Sequence, residues 1–272
     1  MSRVESPSSI NTYKQCPRKY YYHYIEELPS TPSIHLIRGN IIHSVLEDFF
    51  DIDDKINTED ALRIHLFLLF DKLWNEKYSE LKDLNLGDRK LQFYKDESKD
   101  MLKNWFSRFL IKLRGQINNE KTFLDSFKHL TPIREKKFKS EKYKIRGFID
   151  VLFENNGKVV ILDYKTSKNG TMNDEYYLQL GIYALMYEEQ KGRKPDLVGI
   201  DFLKHSELII PVDKKLVEKA KSNINYVHSK TESKNKEDYP QKPSPLCKWS
   251  TGQCDYYEQC FGKYKNNVRD RN

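Results

Sequence analysis

The chain has 272 residues, with 47 Lys and Arg against 40 Asp and Glu for a net charge of +7, and only four cysteines. This length suits one large domain or two small ones, and 18 Tyr, 14 Phe and 3 Trp are too much aromatic surface for a disordered chain. The longest apolar runs, such as Leu66 to Phe70, fall short of the roughly 18 residues a membrane span needs. Because the opening Met1-Ser-Arg-Val-Glu-Ser-Pro7 has no apolar leader, the expectation is a cytoplasmic protein with no membrane partner.

In chain order, Ser6-Pro-Ser-Ser9 offers helix caps, and Ile10, Tyr13, Tyr20, Tyr21 and Tyr24 recur as on an amphipathic helix interrupted at Cys16-Pro17. Pro29 and Pro32 punctuate a loop, after which a helix is predicted from Gly39, with Ile42, Val45, Leu46 and Phe49 on its apolar side. Residues 58 to 115 read as two further helices broken near Asn85-Leu-Gly87. Beyond Pro132 the period shifts from 3.6 toward 2, which predicts strands over 133–138, 144–153 and 158–164, with Asn155-Asn-Gly157 as a tight turn. A helix over 175–190, two paired strands over 197–203 and 207–212, and a helix from Asp213 to about Lys230 follow. The polar, proline-containing stretch from Lys230 to Pro245 reads as an exposed connector to a tail holding Cys247, Cys254 and Cys260. This order is that of an α/β core with a helical insertion.

Two carboxylates stand out. Asp163 and Lys165 share one face of an otherwise apolar strand, and Asp150 interrupts the apolar strand across the Asn-Gly turn. Alone, Asp-x-Lys reads as a structural ion pair. Two carboxylates drawn together by one hairpin need a proton or a cation between them, and hard oxygen donors suit Mg²⁺ or Mn²⁺. His43 on its apolar helix, and Gln179 with Tyr183 one helical turn apart, are singly ordinary packing residues. Four cysteines in a reducing compartment, Cys16 near the start and three crowded at 247–260, read as metal ligands or buried thiols rather than disulfides.

Taken in order, these elements resemble the PD-(D/E)xK nuclease superfamily, and within it the RecB-like, CRISPR-adaptation-type branch that carries an iron–sulfur cluster. Ser8 to Tyr20 is similar to that branch's N-terminal cysteine motif, and Gly39-Asn-Ile-Ile-His43 to its histidine motif. Gly147-Phe-Ile-Asp150, Asp163-Tyr-Lys165 and Gln179 to Tyr183 match its aspartate, D/E-x-K and Q-x-x-x-Y motifs, whereas residues 51–130 carry no family signature. The resemblance implies a restriction-endonuclease-like fold: a central mixed sheet flanked by helices, with an N-terminal helical insertion and a C-terminal cysteine segment. It also implies one nuclease domain over 1–272, made of an insertion (51–130), a catalytic sheet core (131–212) and a clasp formed by residue 16 with residues 247–260.

The implied activity is metal-dependent hydrolysis of DNA, as an exonuclease favouring single strands or ends, in repair, recombination or CRISPR spacer acquisition. His43, Asp150, Asp163 and the Tyr164 carbonyl would hold Mg²⁺ or Mn²⁺, with Lys165, Asp163 and Asp150 as the catalytic set. Gln179 and Tyr183 would bind substrate or support the lysine. Glu47 and Glu135 are weighed and left outside that set. Cys16, Cys247, Cys254 and Cys260 would hold a [4Fe–4S] cluster, with structural Zn²⁺ as the alternative; the departure from the family is the six residues between Cys247 and Cys254. DNA is the implied partner, with a helicase or CRISPR-adaptation protein beside it. The basic run from Arg134 to Arg146 fits a polyanion, and a solvated lysine-rich face is its ordinary reading. The competing function is a nucleic-acid-binding or scaffold subunit that has lost catalysis.

Overall fold

The computed structural model describes residues 3–117, 122–155, 157–250 and 252–262. In chain order, α1 (Pro7–Gln15), α2 (Pro17–Tyr20), α3 (Ile34–Asp48), α4 (Glu59–Glu76), α5 (Tyr78–Asp83), α6 (Asp88–Ile117) and α7 (Phe123–Leu130) come first. They are followed by β1 (Ile133–Ser140), β2 (Ile145–Asn155), β3 (Lys158–Lys165), α8 (Asp174–Lys191), β4 (Leu197–Phe202), β5 (Glu207–Pro211) and α9 (Lys214–Lys230). A small hairpin of β6 (Lys248–Trp249) and β7 (Gly252–Gln253), then α10 (Tyr257–Phe261), ends the described chain. The chain divides into two compact units: a core unit from Pro32 to Lys221, and a terminal unit of residues up to Thr31 and from Ser222 onward.

In the core unit the strands form one mixed sheet in the order β1-β2-β3-β4-β5. Every neighbouring pair is antiparallel except β3 and β4, and α8 provides the crossover that a parallel pair requires. This is the restriction-endonuclease-like arrangement. Gly157, at φ +75°, makes the turn from β2 to β3, and Asn156, the middle residue of the expected turn, lies outside the described residues, as do residues 118–121 of the insertion. Asn173 caps α8 by accepting from the Tyr176 N–H at 2.8 Å, and Gly192 ends it at φ +71°.

Two helix boundaries differ from expectation. The helix carrying His43 begins at Ile34, not Gly39, because the Ser33 hydroxyl accepts from the Leu36 N–H at 3.2 Å. The insertion has a short additional helix, α5, set off from α4 at Lys77, where the backbone leaves helical geometry (φ −91°, ψ 5°).

One side of the sheet is covered by the insertion. Phe49, the C-cap of α3, lies edge-on to Trp105, Phe106 and Phe109 of α6 at 5.1, 6.1 and 5.4 Å between ring centres, a geometry that favours aromatic pairs. Val151, Leu162 and Tyr164 of the sheet join this core. On α8, a Cβ at Gly181 would come within 2.8 Å of the Ala220 Cβ, so α9 packs against a position that only glycine leaves open. Among the described residues no helix is long and apolar enough to cross a membrane.

In the terminal unit, tyrosines pack beside the buried Ile10, Ile224 and Val227. Tyr13, Tyr20 and Tyr239 are buried and mutually in contact, and the fully buried Glu5 accepts from the Tyr20 hydroxyl at 2.5 Å. The two ends of the chain are joined within this unit: Arg18 Nε donates to the Tyr239 carbonyl at 2.6 Å, and the Tyr22 hydroxyl donates to the Gln259 carbonyl at 3.2 Å.

Candidate active site

Asp150 sits where β2 parts from its neighbours. Pairing of β2 with β3 starts only at Val151 opposite Leu162. In place of the next rung, the Asp150 carboxylate accepts the Tyr164 N–H at 2.8 Å. On the other side, β1 and β2 pair through Arg134 with Val151 and through Lys136 with Ile149, and the ladder skips the intervening pair, Glu135 opposite Asp150. Glu135 takes φ +44°, a left-handed conformation costly for a residue with a long side chain. Helix α3 brings His43, whose Nδ1 lies 3.2 Å from Asp150 Oδ2.

The ligand atoms of His43, Glu135 and Asp150 all lie within 4.8 Å of one another. They share an open cleft whose other walls include His35, Asn40, Ser44 and Glu47. Burial, and next the charge of Asp150, push the Glu135 carboxyl up to about 7. Burial pulls the His43 imidazole down, yet its hydrogen bond to Asp150 and the charge of that group outweigh it and leave its pKa raised. Two facing carboxylates and one imidazole converge on the cleft, and this donor set fits a divalent cation.

Asp163 and Lys165 stand beside this trio. Lys165 Nζ is 2.5 Å from Asp163 Oδ2 and 5.7 Å from the centre of the Tyr176 ring. Burial favours a neutral lysine, but the Asp163 carboxylate prevails and raises the Lys165 pKa. Burial also raises Asp163, against the pull of Lys165. The other oxygen, Asp163 Oδ1, accepts Gln179 Nε2 at 2.6 Å and the Tyr183 hydroxyl at 3.1 Å, and Gln179 Nε2 also reaches the Tyr183 oxygen at 2.8 Å. Gln179 and Tyr183, expected to bind substrate or support the lysine, thus hydrogen-bond Asp163, the partner of Lys165. Tyr164 contributes its N–H to Asp150 and buries its ring in the core beneath the insertion.

Two contributors lay outside the sequence expectation. Glu135 joins His43 and Asp150 more closely than Asp163 does; its sequence signal was its place in the first strand, masked by the surrounding lysines. Arg38, on α3, is 3% exposed. It pairs with Glu97 of α6, which also holds Lys204 at 2.6 Å, and reaches the Thr166 carbonyl just after Lys165 at 3.5 Å. This network fastens the end of β3 to the insertion, and no local motif announces it.

In the terminal unit all four cysteines, Cys16, Cys247, Cys254 and Cys260, line one pocket. Cys16 is an extended residue between α1 and α2. The six residues separating Cys247 from Cys254 form the β6–β7 hairpin, in which Lys248 faces Gln253 and Trp249 faces Gly252. The register continues to the cysteines, since the Cys254 N–H donates to the Cys247 carbonyl at 2.9 Å. Thr251 lies outside the described residues. Burial, and secondarily the neighbouring cysteines, raise the Cys260 thiol; burial also raises Cys254.

The family described as the PD-(D/E)XK nuclease superfamily matches residues 5–261. Among curated proteins, the chain is 30% identical over 122 residues to the CRISPR-associated exonuclease Cas4 of Francisella tularensis subsp. novicida, covering 45% of this chain and 59% of the relative. It is 32% identical over 114 residues to the RecBCD enzyme subunit RecB of Borreliella burgdorferi, covering 35% of this chain and 9% of that one. The chain thus spans less than two thirds of either relative. A crystal structure of a provisionally named exonuclease from Eubacterium rectale shares the fold, with a TM-score of 0.50 at 14% identity over 90% of this chain and 86% of that one.

Proposed function

Because the chain belongs to the PD-(D/E)XK nuclease superfamily, we propose that its core unit is a metal-dependent deoxyribonuclease acting as an exonuclease on single strands or DNA ends. The observation that carries this reading is Lys165, held 2.5 Å from Asp163 beside the His43, Glu135 and Asp150 trio. His43, Glu135 and Asp150, with Asp163 and the Tyr164 carbonyl as further donors, would hold a divalent cation, which would supply Lewis-acid polarisation of a phosphodiester and acidify a bound water. The imidazole nitrogen favours Mn²⁺ over Mg²⁺ in this donor set.

The chain's own residues do the rest. Lys165 keeps its proton at Nζ and presents an ammonium that orients the attacking water or offsets charge developing on the phosphate. Asp163 fixes that ammonium, and Gln179 and Tyr183 fix Asp163 through the hydrogen bonds described above. Arg38 and Glu97 restrain the segment that follows Lys165.

In the terminal unit the four thiols that line one pocket would hold a [4Fe–4S] cluster, with structural zinc as the alternative. The cluster's part is structural. Processing of DNA ends in repair, recombination or spacer acquisition, beside a helicase or a CRISPR-adaptation protein, is the setting that matches the relatives.

The test is digestion of end-labelled single- and double-stranded DNA with Mg²⁺ or Mn²⁺, comparing wild type with Lys165→Ala. Stepwise shortening from the labelled ends, slowed roughly 10²- to 10³-fold in the variant, is the expected result. Absence of Lys165-dependent cleavage under either metal would overturn the nuclease reading, and cutting of a closed single-stranded circle would overturn the exonuclease mode.

A further inference from the structure

The far end of the β1–β2 ladder presents a face that the catalytic site does not use. Over 136–140 and 145–149 the register is unbroken: Lys137 faces Phe148 and Lys139 faces Arg146. Exposure alternates with it. Phe138, Ser140, Ile145 and Ile149 are buried, with Phe138 against Tyr187 of α8 and Ser140 bonded to Glu189 of the same helix. Lys137, Lys139, Arg146 and Phe148 are exposed together on the opposite face. Phe148 is 54% exposed.

A single exposed apolar side chain is ordinary. This one has unusual company. Its cross-strand neighbour is Lys137, and Arg146 lies two residues away on its own strand. Among the described residues neither cation has a carboxylate partner, whereas Lys139 is paired with Glu141 at 2.5 Å. Lys137 is two residues from Glu135 and Phe148 two residues from Asp150, so each strand leads within about 7 Å into the carboxylate pair. An aromatic ring between unpaired cations suits a chain of anions that carries flat apolar rings. Duplex DNA offers the anions but keeps its base faces stacked inside, and an apolar protein partner would leave the cations desolvated and unpaired.

We propose that this face holds a single-stranded segment of DNA as it enters the cleft, with Phe148 stacked on a nucleobase and Lys137 and Arg146 on the flanking phosphates. The proposal rests on the nuclease reading for the identity of the cleft and names the substrate form it takes. Phe148 is a substrate-binding residue that sets preference for unpaired bases, and Lys137 and Arg146 supply affinity without regard to sequence.

The test is fluorescence anisotropy in EDTA, where no cleavage can shorten the probe, with labelled (dT)20 and a hairpin duplex of equal charge. Truncation of a stacked aromatic costs about 1–3 kcal/mol per base, so Phe148→Ala should weaken (dT)20 binding roughly 5- to 150-fold. Duplex binding should change less than about twofold, and Phe148→Tyr should retain wild-type affinity for (dT)20. The double variant Lys137→Ala/Arg146→Ala should lower the salt dependence of (dT)20 binding by roughly 1.4 in log–log slope, from about 0.7 per phosphate contact. Since Phe148 is exposed, the thermal melting of Phe148→Ala should match that of wild type.

Unchanged (dT)20 affinity in Phe148→Ala, equal losses on both probes, or no binding of (dT)20 by wild type would each overturn the proposal. If wild type shows Lys165-dependent cleavage while Phe148→Ala binds normally, the nuclease reading stands and the substrate track falls. Loss of single-strand binding in Phe148→Ala with no Lys165-dependent cleavage in wild type leaves the track standing and removes the catalytic reading.

Discussion

The cleft of the core unit and the cysteine pocket of the terminal unit both gather groups that suit a metal, but they are prepared differently. In the cleft the protein already answers much of the charge: Asp150 has a backbone N–H and an imidazole, and Asp163 has Lys165, Gln179 and Tyr183. The residual defect is local, a Glu135 carboxyl pushed up to about 7. In the pocket burial raises the Cys254 and Cys260 thiols against the pull of Lys19 and Arg18, and the surrounding unit is small and packed with tyrosines. The difference teaches that the cleft answers most of its charge with the protein's own groups, whereas under the proposed cluster reading the pocket depends on a metal to bring its four thiols together.

The largest expected effect breaks that comparison most visibly. Cys16→Ser or Cys254→Ser should expose residues 3–31 and 222–262 to proteolysis and lower the yield of soluble protein, with a core fragment near 32–221 surviving digestion. Uniform degradation of the whole chain, or full resistance, would remove the asymmetry. Next, Asp150→Asn should lower DNA cleavage on the order of 10³-fold while leaving protease resistance of the terminal unit and the wavelength of its metal absorption unchanged.

A third prediction concerns a buried charge away from both sites. Asp201, 1% exposed, faces Arg108 of α6 on the insertion side of the sheet, and burial pushes its carboxyl up to about 6 despite that guanidinium. The folded state therefore binds this proton more tightly than the unfolded one. The stability it confers is fully present below about pH 4 and is lost as pH rises through about 6, a change on the order of 2–3 kcal/mol. Urea unfolding between pH 4 and 7 should show that slope in wild type and a flatter one in Asp201→Asn. The smallest effect tests positioning inside the cleft. Tyr183→Phe removes one hydrogen bond from Asp163, worth about 1–2 kcal/mol, and should slow cleavage roughly 5- to 30-fold with little change in KM. A change in KM alone would return Tyr183 to the substrate.

The fold was legible wherever one periodicity ran uninterrupted. The shift to alternation after Pro132 and the Asn-Gly turn placed β1, β2 and β3, and apolar strands leading into Asp150 and Asp163 marked both as costly and therefore informative. Glu135 was weighed from its place in the first strand and left outside the site; the register that sets it opposite Asp150, and its left-handed backbone, bring it into the cleft. The interval after Cys247 read as a departure from the family and is a hairpin that aligns Cys247 with Cys254. Arg38, Glu97 and Lys204 come from three distant segments, so no spacing along the chain could have joined them.

Binding of Mn²⁺ followed by electron paramagnetic resonance tests the central claim most directly, because it reads the cleft without relying on turnover. Wild type and Cys254→Ser should bind Mn²⁺ alike, while Glu135→Gln and Asp150→Asn should each weaken it by at least tenfold. Equal Mn²⁺ affinity in wild type, Glu135→Gln and Asp150→Asn would contradict the assignment of His43, Glu135 and Asp150 as the metal site.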